Sequence, residues 1–175
     1  MNRKLIMATV MFLIVSLTTV SAYALNQQPL QTDTSIDQKQ TYPYPQVTGY
    51  IEGGKLAKLL NEKFNGTRFY SSDTQYALTT LEQAQKYTAG CKIGAYVPEG
   101  HDCENYAYQL LGYWSEGNTS FAFGLLIGME HAGNFFVDDK LDVYIIESQT
   151  HAFMPVDHAL DVGSNGKYVP VMLLC

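Results

Sequence analysis

The hydrophobic and polar positions of this chain fall into distinct stretches. Leu5 to Val20 is a nearly unbroken apolar run, and residues 25–45 (LNQQPLQTDTSIDQKQTYPYP) show no apolar periodicity at all. From Gly54 to Phe64 the pattern turns helical, with Leu56, Leu59, Leu60 and Phe64 on one stripe and Asn65-Gly66 as a stop. Asp73 is expected to cap a second helix through about Thr88, with Tyr76, Leu78, Leu81 and Ala84 as its apolar positions and Ala89-Gly90 as its end. Cys103–Trp114 reads as a third helix, with Tyr106, Ala107, Leu110 and Leu111 on one face and Asp102 in N-cap position. After Gly117 the period changes. Phe121–Met129 is continuously apolar, Asn134–Val137 and Val143–Ile146 flank Asp138-Asp139-Lys140 as a hairpin, and Tyr168–Leu174 makes a last strand. Helices first and an antiparallel sheet second is an α+β order.

The first apolar run carries its own meaning. Arg3 and Lys4 precede it, and Ser21-Ala22-Tyr23-Ala24 closes it with small residues in an A-x-A arrangement. That is the pattern of a secretory signal over residues 1–24, cleaved after Ala24. The run is shorter than the roughly 20 residues of a membrane span, and an uncleaved signal-anchor is the alternative. Residues 25–45 then read as a linker or extended arm, and 46–175 as one domain large enough to bury its own core. The expected location is secreted or in the cell envelope, with no stable membrane span after cleavage.

Composition narrows the function classes. The chain of 175 residues is 46% hydrophobic, 13% aromatic and 16% charged, which excludes a disordered acidic tail. Its net charge is -6, and loss of Arg3 and Lys4 with the leader makes it two units more negative. A nucleic-acid partner needs clustered positive charge, so that class is disfavoured.

The cysteines supply the candidate chemistry. There are three, Cys91, Cys103 and Cys175, so they cannot all pair among themselves. An exported context permits a disulfide. Cys103 stands at an expected helix N-terminus, where the helix dipole and unpaired N–H groups favour a thiolate. If one thiol is kept for chemistry it is Cys103, and Cys91–Cys175 becomes the candidate bridge. A thiol nucleophile needs a base, and the base needs an orienting group. With the hairpin loop at Asp138–Lys140, antiparallel pairing sets His131 opposite Glu147 and on one face with it. A carboxylate at the end of the apolar strand VYIIE calls for a partner, since burying an unpaired charge is costly. Asn134, three residues beyond His131, is expected to point to the other face. His151 and His158 read as loop residues.

The segments His101-Asp102-Cys103-Glu104-Asn105-Tyr106-Ala107, His131-Ala132-Gly133-Asn134-Phe135-Phe136 and Val143-Tyr144-Ile145-Ile146-Glu147-Ser148-Gln149-Thr150 resemble the papain-like domain at the C-terminus of mushroom agglutinins. They are similar also to related bacterial and phage proteins of cysteine-protease or transglutaminase-like type. The resemblance is clear over residues 100–155. It implies a papain-like fold with Cys103 as nucleophile, His131 as general base and Glu147 as orienting residue. Ser148 stands where the related pattern often has Pro, and no glutamine lies shortly before Cys103 to complete an oxyanion hole. The Cys103 backbone N–H is one donor for that hole.

The resemblance also brings calcium into question, because the agglutinin domain responds to it. Neither the acidic pair Asp102 and Glu104 nor the cluster Asp138, Asp139 and Asp142 matches a calcium-loop motif. A zinc site from His101, Cys103 and His131 fits no standard spacing. No cofactor is required by the expected chemistry. The expected function is an exported cysteine peptidase acting on a peptide or protein through an acyl-thioester. The alternatives are a transglutaminase-like acyl transferase or amidase, and a non-catalytic exported binding module on the same fold.

Overall fold

The computed structural model describes residues 43–65, 67–98, 100–162 and 167–175. The leader expected at 1–24, most of the 25–45 arm and the Gly163–Gly166 turn lie outside the described residues. In chain order the elements are β1 (Gly49–Glu52), α1 (Gly53–Lys63), β2 (Arg68–Tyr70), β3 (Gln75–Leu78), α2 (Leu81–Thr88) and α3 (Cys103–Trp114). They continue with β4 (Phe123–Gly128), β5 (Ala132–Val137), β6 (Val143–Glu147), β7 (Ala152–Pro155), α4 (Val156–Val162) and β8 (Pro170–Leu174). Strands β1 and β3 form an antiparallel ribbon, and the others form a six-stranded sheet in the order β2-β8-β4-β5-β6-β7. Within that sheet only the β2–β8 pair is parallel. The fold is α+β, and the helix that begins with Cys103 precedes the antiparallel core of the sheet. No helix among the described residues is long and apolar enough to cross a membrane.

The second helix is shorter than its sequence suggests. Residues 75–78 are strand, and the helix starts only at Leu81. Thr79 and Thr80 explain the break: β-branched side chains are poor in a helix interior and Thr is good at its cap. The Thr80 Oγ1 accepts the Gln83 N–H at 3.2 Å. Asp73 belongs instead to a loop folded around a buried phenol, with Tyr76 Oη taking the Ser72 and Asp73 N–H groups at 3.1 and 3.0 Å. His158, expected in a loop, lies on α4.

The sheet separates two layers of core by simple alternation. Phe135, Val137, Val143 and Ile145 belong to the core that holds Leu56 and Leu60 of α1 and Val156 and Ala159 of α4. Phe136 and Ile146 belong to the core that holds Ala84 and Tyr87 of α2 and Leu110 and Trp114 of α3. Phe135 and Phe136 are both fully buried, each worth roughly 2–3 kcal/mol in apolar transfer. Trp114 stacks on Phe123 at 4.6 Å and donates its Nε1–H to Thr88 Oγ1 at 3.1 Å, which ties α3 to the end of α2.

The domain starts earlier than residue 46. Tyr44 reaches the loop after α3, where its hydroxyl donates to Trp114 O and Thr119 O at 2.9 and 3.1 Å. Its ring lies edge-on to Tyr87 at 5.2 Å. Gly117 is required here, because a Cβ would run into the Tyr44 ring.

One buried amide fixes α3 to the sheet. Asn134 is fully buried, and its Nδ2 donates to Ala107 O of α3 at 3.1 Å and to Gly124 O of β4 at 3.2 Å. Its Oδ1 accepts the Ser148 hydroxyl at 2.6 Å. A buried acceptor deprived of its donor costs about 1–3 kcal/mol. Ser148→Ala is therefore expected to lower the unfolding free energy by about that amount in urea titrations.

Candidate functional site

Cys103 is the first residue of α3, and its position follows from the cap before it. Asp102 is extended, and Asn105 Oδ1 reaches back to the Asp102 N–H at 3.2 Å, closing a capping box. The Cys103 thiol then packs toward Ala107, Leu125 and Ala132. The backbone N–H of Ala132 hydrogen-bonds to the sulfur and favours its thiolate. The nucleophile candidate thus lies against the residue that follows His131.

His131 and Glu147 meet as expected, with His131 Nε2 3.2 Å from Glu147 Oε2. Both side chains are largely buried, at 11% and 14% exposure. The approach is close but not well aligned as a hydrogen bond, and among the described residues Nε2 has no hydrogen-bond partner. The pairing register differs from the expected one. Asn134 faces Ile146 and Val137 faces Val143, which sets Glu147 beyond Ile146 rather than opposite His131. The cause is the turn. Asp138 and Asp142 close it, Leu141 adopts a left-handed φ of 66°, and Asp138 Oδ1 accepts the N–H groups of Lys140 and Asp142, each at 2.9 Å. The loop has moved by one residue without changing length. Pairing shifts by two residues, which preserves the side-chain faces. The fully buried Asn134 points into the α3 side, as alternation requires, and takes no part in the His131 pair.

Two residues absent from the sequence reading complete the Glu147 environment. Lys167 Nζ donates to Oε2 at 2.8 Å and Tyr168 Oη donates to the same oxygen at 2.9 Å. The Tyr168 ring stands edge-on to the His131 ring at 5.5 Å. Burial works against the Glu147 charge, but His131, Lys167 and Tyr168 together outweigh it and hold the carboxyl down at about 2. Only the buried position of Glu147 hinted in the sequence that such partners must exist. Lys167 and Tyr168 are more than a strand away and form no motif with it.

The electrostatics around Cys103 run the other way. Burial pushes its thiol up, and the nearby Glu104 and Asp102 carboxylates add to that, against the Ala132 N–H. Cys103 Sγ donates to Glu104 Oε2 at 3.2 Å. The helix-start advantage expected for the thiolate is therefore overridden in this arrangement, first by burial and then by the carboxylates of the same turn.

Cys91 and Cys175 are also thiols in this structure. Cys91 is buried, and burial with the Glu116 charge raises it to about 11. Cys175 is raised by burial to about 12, and its Sγ donates to Phe123 O at 3.2 Å. Among the described residues no group of three or more His, Cys, Asp or Glu side chains could hold a metal ion. At the hairpin tip Asp138 Oδ1 accepts two backbone N–H groups. His101 is engaged elsewhere, with Nδ1 3.0 Å from Ala95 O and its ring against Tyr106.

Comparison with known proteins gives a fold neighbour. No family model matches the chain, and no curated protein matches it. A solved structure described as "PSL1a-E64 complex" superposes with a TM-score of 0.58 at 19% identity, over 72% of this chain and 51% of that one. The chain thus spans about half the length of that structure. At this identity the likeness is one of fold.

Glu104→Gln removes the carboxylate charge that helps to raise the thiol and leaves a weaker amide acceptor in its place. The Cys103 alkylation profile is expected to move to lower pH than in the parent protein, read by mass spectrometry of the Cys103 peptide. The depressed Glu147 carboxyl makes a stability prediction. Its contribution is present above its ordinary value of 4.5 and is lost as pH falls toward about 2. The stability gap between the parent and Glu147→Gln should therefore be widest near neutrality and close across that acidic window, read from urea midpoints against pH.

Proposed function

We propose that this domain is an exported thiol-dependent hydrolase of papain-like type, a cysteine peptidase with Cys103, His131 and Glu147 as its triad. The observation that carries this reading is the His131–Glu147 pair at 3.2 Å, set beside a cysteine that opens a helix and touches the Ala132 N–H. The leader pattern at 1–24 supports export. The likeness to the structure described as "PSL1a-E64 complex" supports the α+β scaffold on which this reading is built.

The proposed chemistry is that of a thiol nucleophile with an imidazole base. His131 takes the Cys103 proton, and the thiolate attacks the carbonyl carbon of a peptide bond. A C–S bond forms while the carbonyl oxygen gathers charge near the Cys103 backbone N–H. The C–N bond breaks as His131 returns the proton to the leaving amine. Water, deprotonated by His131, then attacks the thioester, releases the acid and restores the thiol. Glu147 holds the ring and stabilises the imidazolium in both halves. An amine in place of water turns the second half into acyl transfer.

A second reading, a non-catalytic binding module, is favoured by the surroundings of Cys103, where burial and the Glu104 carboxylate push the thiol up. Alkylation separates the two. With iodoacetamide at about pH 6.5, Cys103 of the parent protein is expected to react about tenfold faster or more than in His131→Ala, whose profile should lie near or above the free-thiol value of about 8.5. Cys103→Ala should abolish peptide hydrolysis. A single alkylation profile shared by the parent and His131→Ala would sink the hydrolase reading.

A further inference from the structure

One flank of α3 is left open beside Cys103. The side chains of α1 and α4 pack on the opposite face of the sheet, with Phe69 and Leu173. On the α3 face, Cys103, Leu111, Ile127 and Leu174 are only partly buried, and they rest on one small core of Ala107, Leu125 and Ala132. The strand register extends this strip outward. Ile127 stands beside the half-buried Met172, Leu125 beside Leu174, and Leu174 beside Tyr70, which is 51% exposed. Cys103, Ala107, Leu111 and Ser115 recur at every fourth position of the helix and its cap, so they fall along one flank. The result is a groove with α3 as one wall and the β8–β2 edge of the sheet as the other.

The groove has a definite end. At the foot of α3 lies a cavity of about 300 Å³, and Leu111 belongs both to the strip and to the cavity lining. The buried rings of Trp114, Phe121 and Phe123 back this cavity, and the exposed Asp73, Ser115 and Asn118 rim it. Among the described lining residues Asp73 is the only charged side chain. Cys103 and Ser115 lie about 18 Å apart along the helix axis, at about 1.5 Å per residue. An extended peptide, at about 3.3 Å per residue, covers that length with about five or six residues. Its side chains would also repeat in step with Met172 and Leu174, because a strand and an extended peptide share the two-residue period. A fatty acyl chain of the same length would leave the polar rim without a partner.

We propose that the cavity at the foot of α3 is a remote subsite for an extended peptide that runs from Cys103 along the Ile127–Leu174 strip, apolar in its middle and neutral or basic at its far end. The proposal extends the hydrolase reading by giving that site a substrate class. The apolar strip holds the middle of the peptide by burial. The Asp73 carboxylate, with no cation beside it in the lining, disfavours an acidic end.

Binding is tested in full-chain Cys103→Ala, where no cleavage follows. The probes are leucine-rich peptides capped at both ends, from dipeptide to heptapeptide, carrying Lys or Glu at either terminus. Affinity, read by calorimetry, is expected to rise about tenfold from the tripeptide to the hexapeptide and then to level off. The hexapeptide should also shift the emission of Trp114, the single tryptophan of the chain. A Lys end should bind about threefold tighter than a Glu end, and Asp73→Lys should reverse that order. Ser115→Phe, at an exposed position, should fill the cavity and abolish the gain with length. Affinity that does not grow with length overturns the proposal. So does binding that leaves Trp114 unmoved, an unchanged Lys-to-Glu ratio in Asp73→Lys, or equal binding of decanoate. Peptides that bind as expected but survive incubation with the parent protein uphold the peptide groove and overturn the hydrolase reading. Peptides that the parent cleaves at one rate whatever their length uphold the hydrolase and overturn the groove.

Discussion

The site depends on one side chain that is not part of it. Asn134 joins the carbonyl of Ala107 in α3 to the carbonyl of Gly124 in β4, and is itself held by Ser148. A helix lying on a sheet through apolar contacts alone can slide, because those contacts are non-directional. An amide with fully determined partners cannot shift without stranding a polar atom in the interior. The position of Cys103 relative to the strand that follows His131 therefore has a lock about one turn along the helix. Ser148 supplies the last hydrogen bond of that lock.

The electrostatic layout divides the site in two. On the His131 side, a buried carboxylate is kept charged by three donors acting against its own desolvation. On the Cys103 side, carboxylates and burial resist charge. Each half is reasonable as local chemistry, since a buried anion needs donors and a partly buried thiol favours its neutral form. Their junction is the Ala132 peptide, which gives its N–H to the sulfur and follows directly on His131.

Much of this was legible in the sequence wherever the pattern was local. The apolar stripe of α1, the capped start of α3 and the hairpin of β5 and β6 each announce themselves within a dozen residues. So did the partnership of His131 and Glu147, since the faces of a hairpin survive an even shift in register. The failures have equally local causes. Tyr76 and Leu78 mimic a helical stripe, and only the paired threonines that follow show where the helix can begin. Strands β1, β2 and β7 are three or four residues long, too short to display a period, and form through partners distant in sequence. Lys167 and Tyr168 were invisible because their tie to Glu147 crosses the sheet through tertiary contact. Glu104 stood beside Cys103 in plain view, but only the geometry of the first helical turn brings its carboxylate onto the sulfur.

The docking of Tyr44 changes what counts as the beginning of the folded unit. Its phenol satisfies two carbonyls in the turn that ends α3, and its ring covers Tyr87 and Phe121 beside the single tryptophan. A chain cut at residue 46 would be missing a plug, with Trp114 O and Thr119 O opened to solvent at the foot of α3.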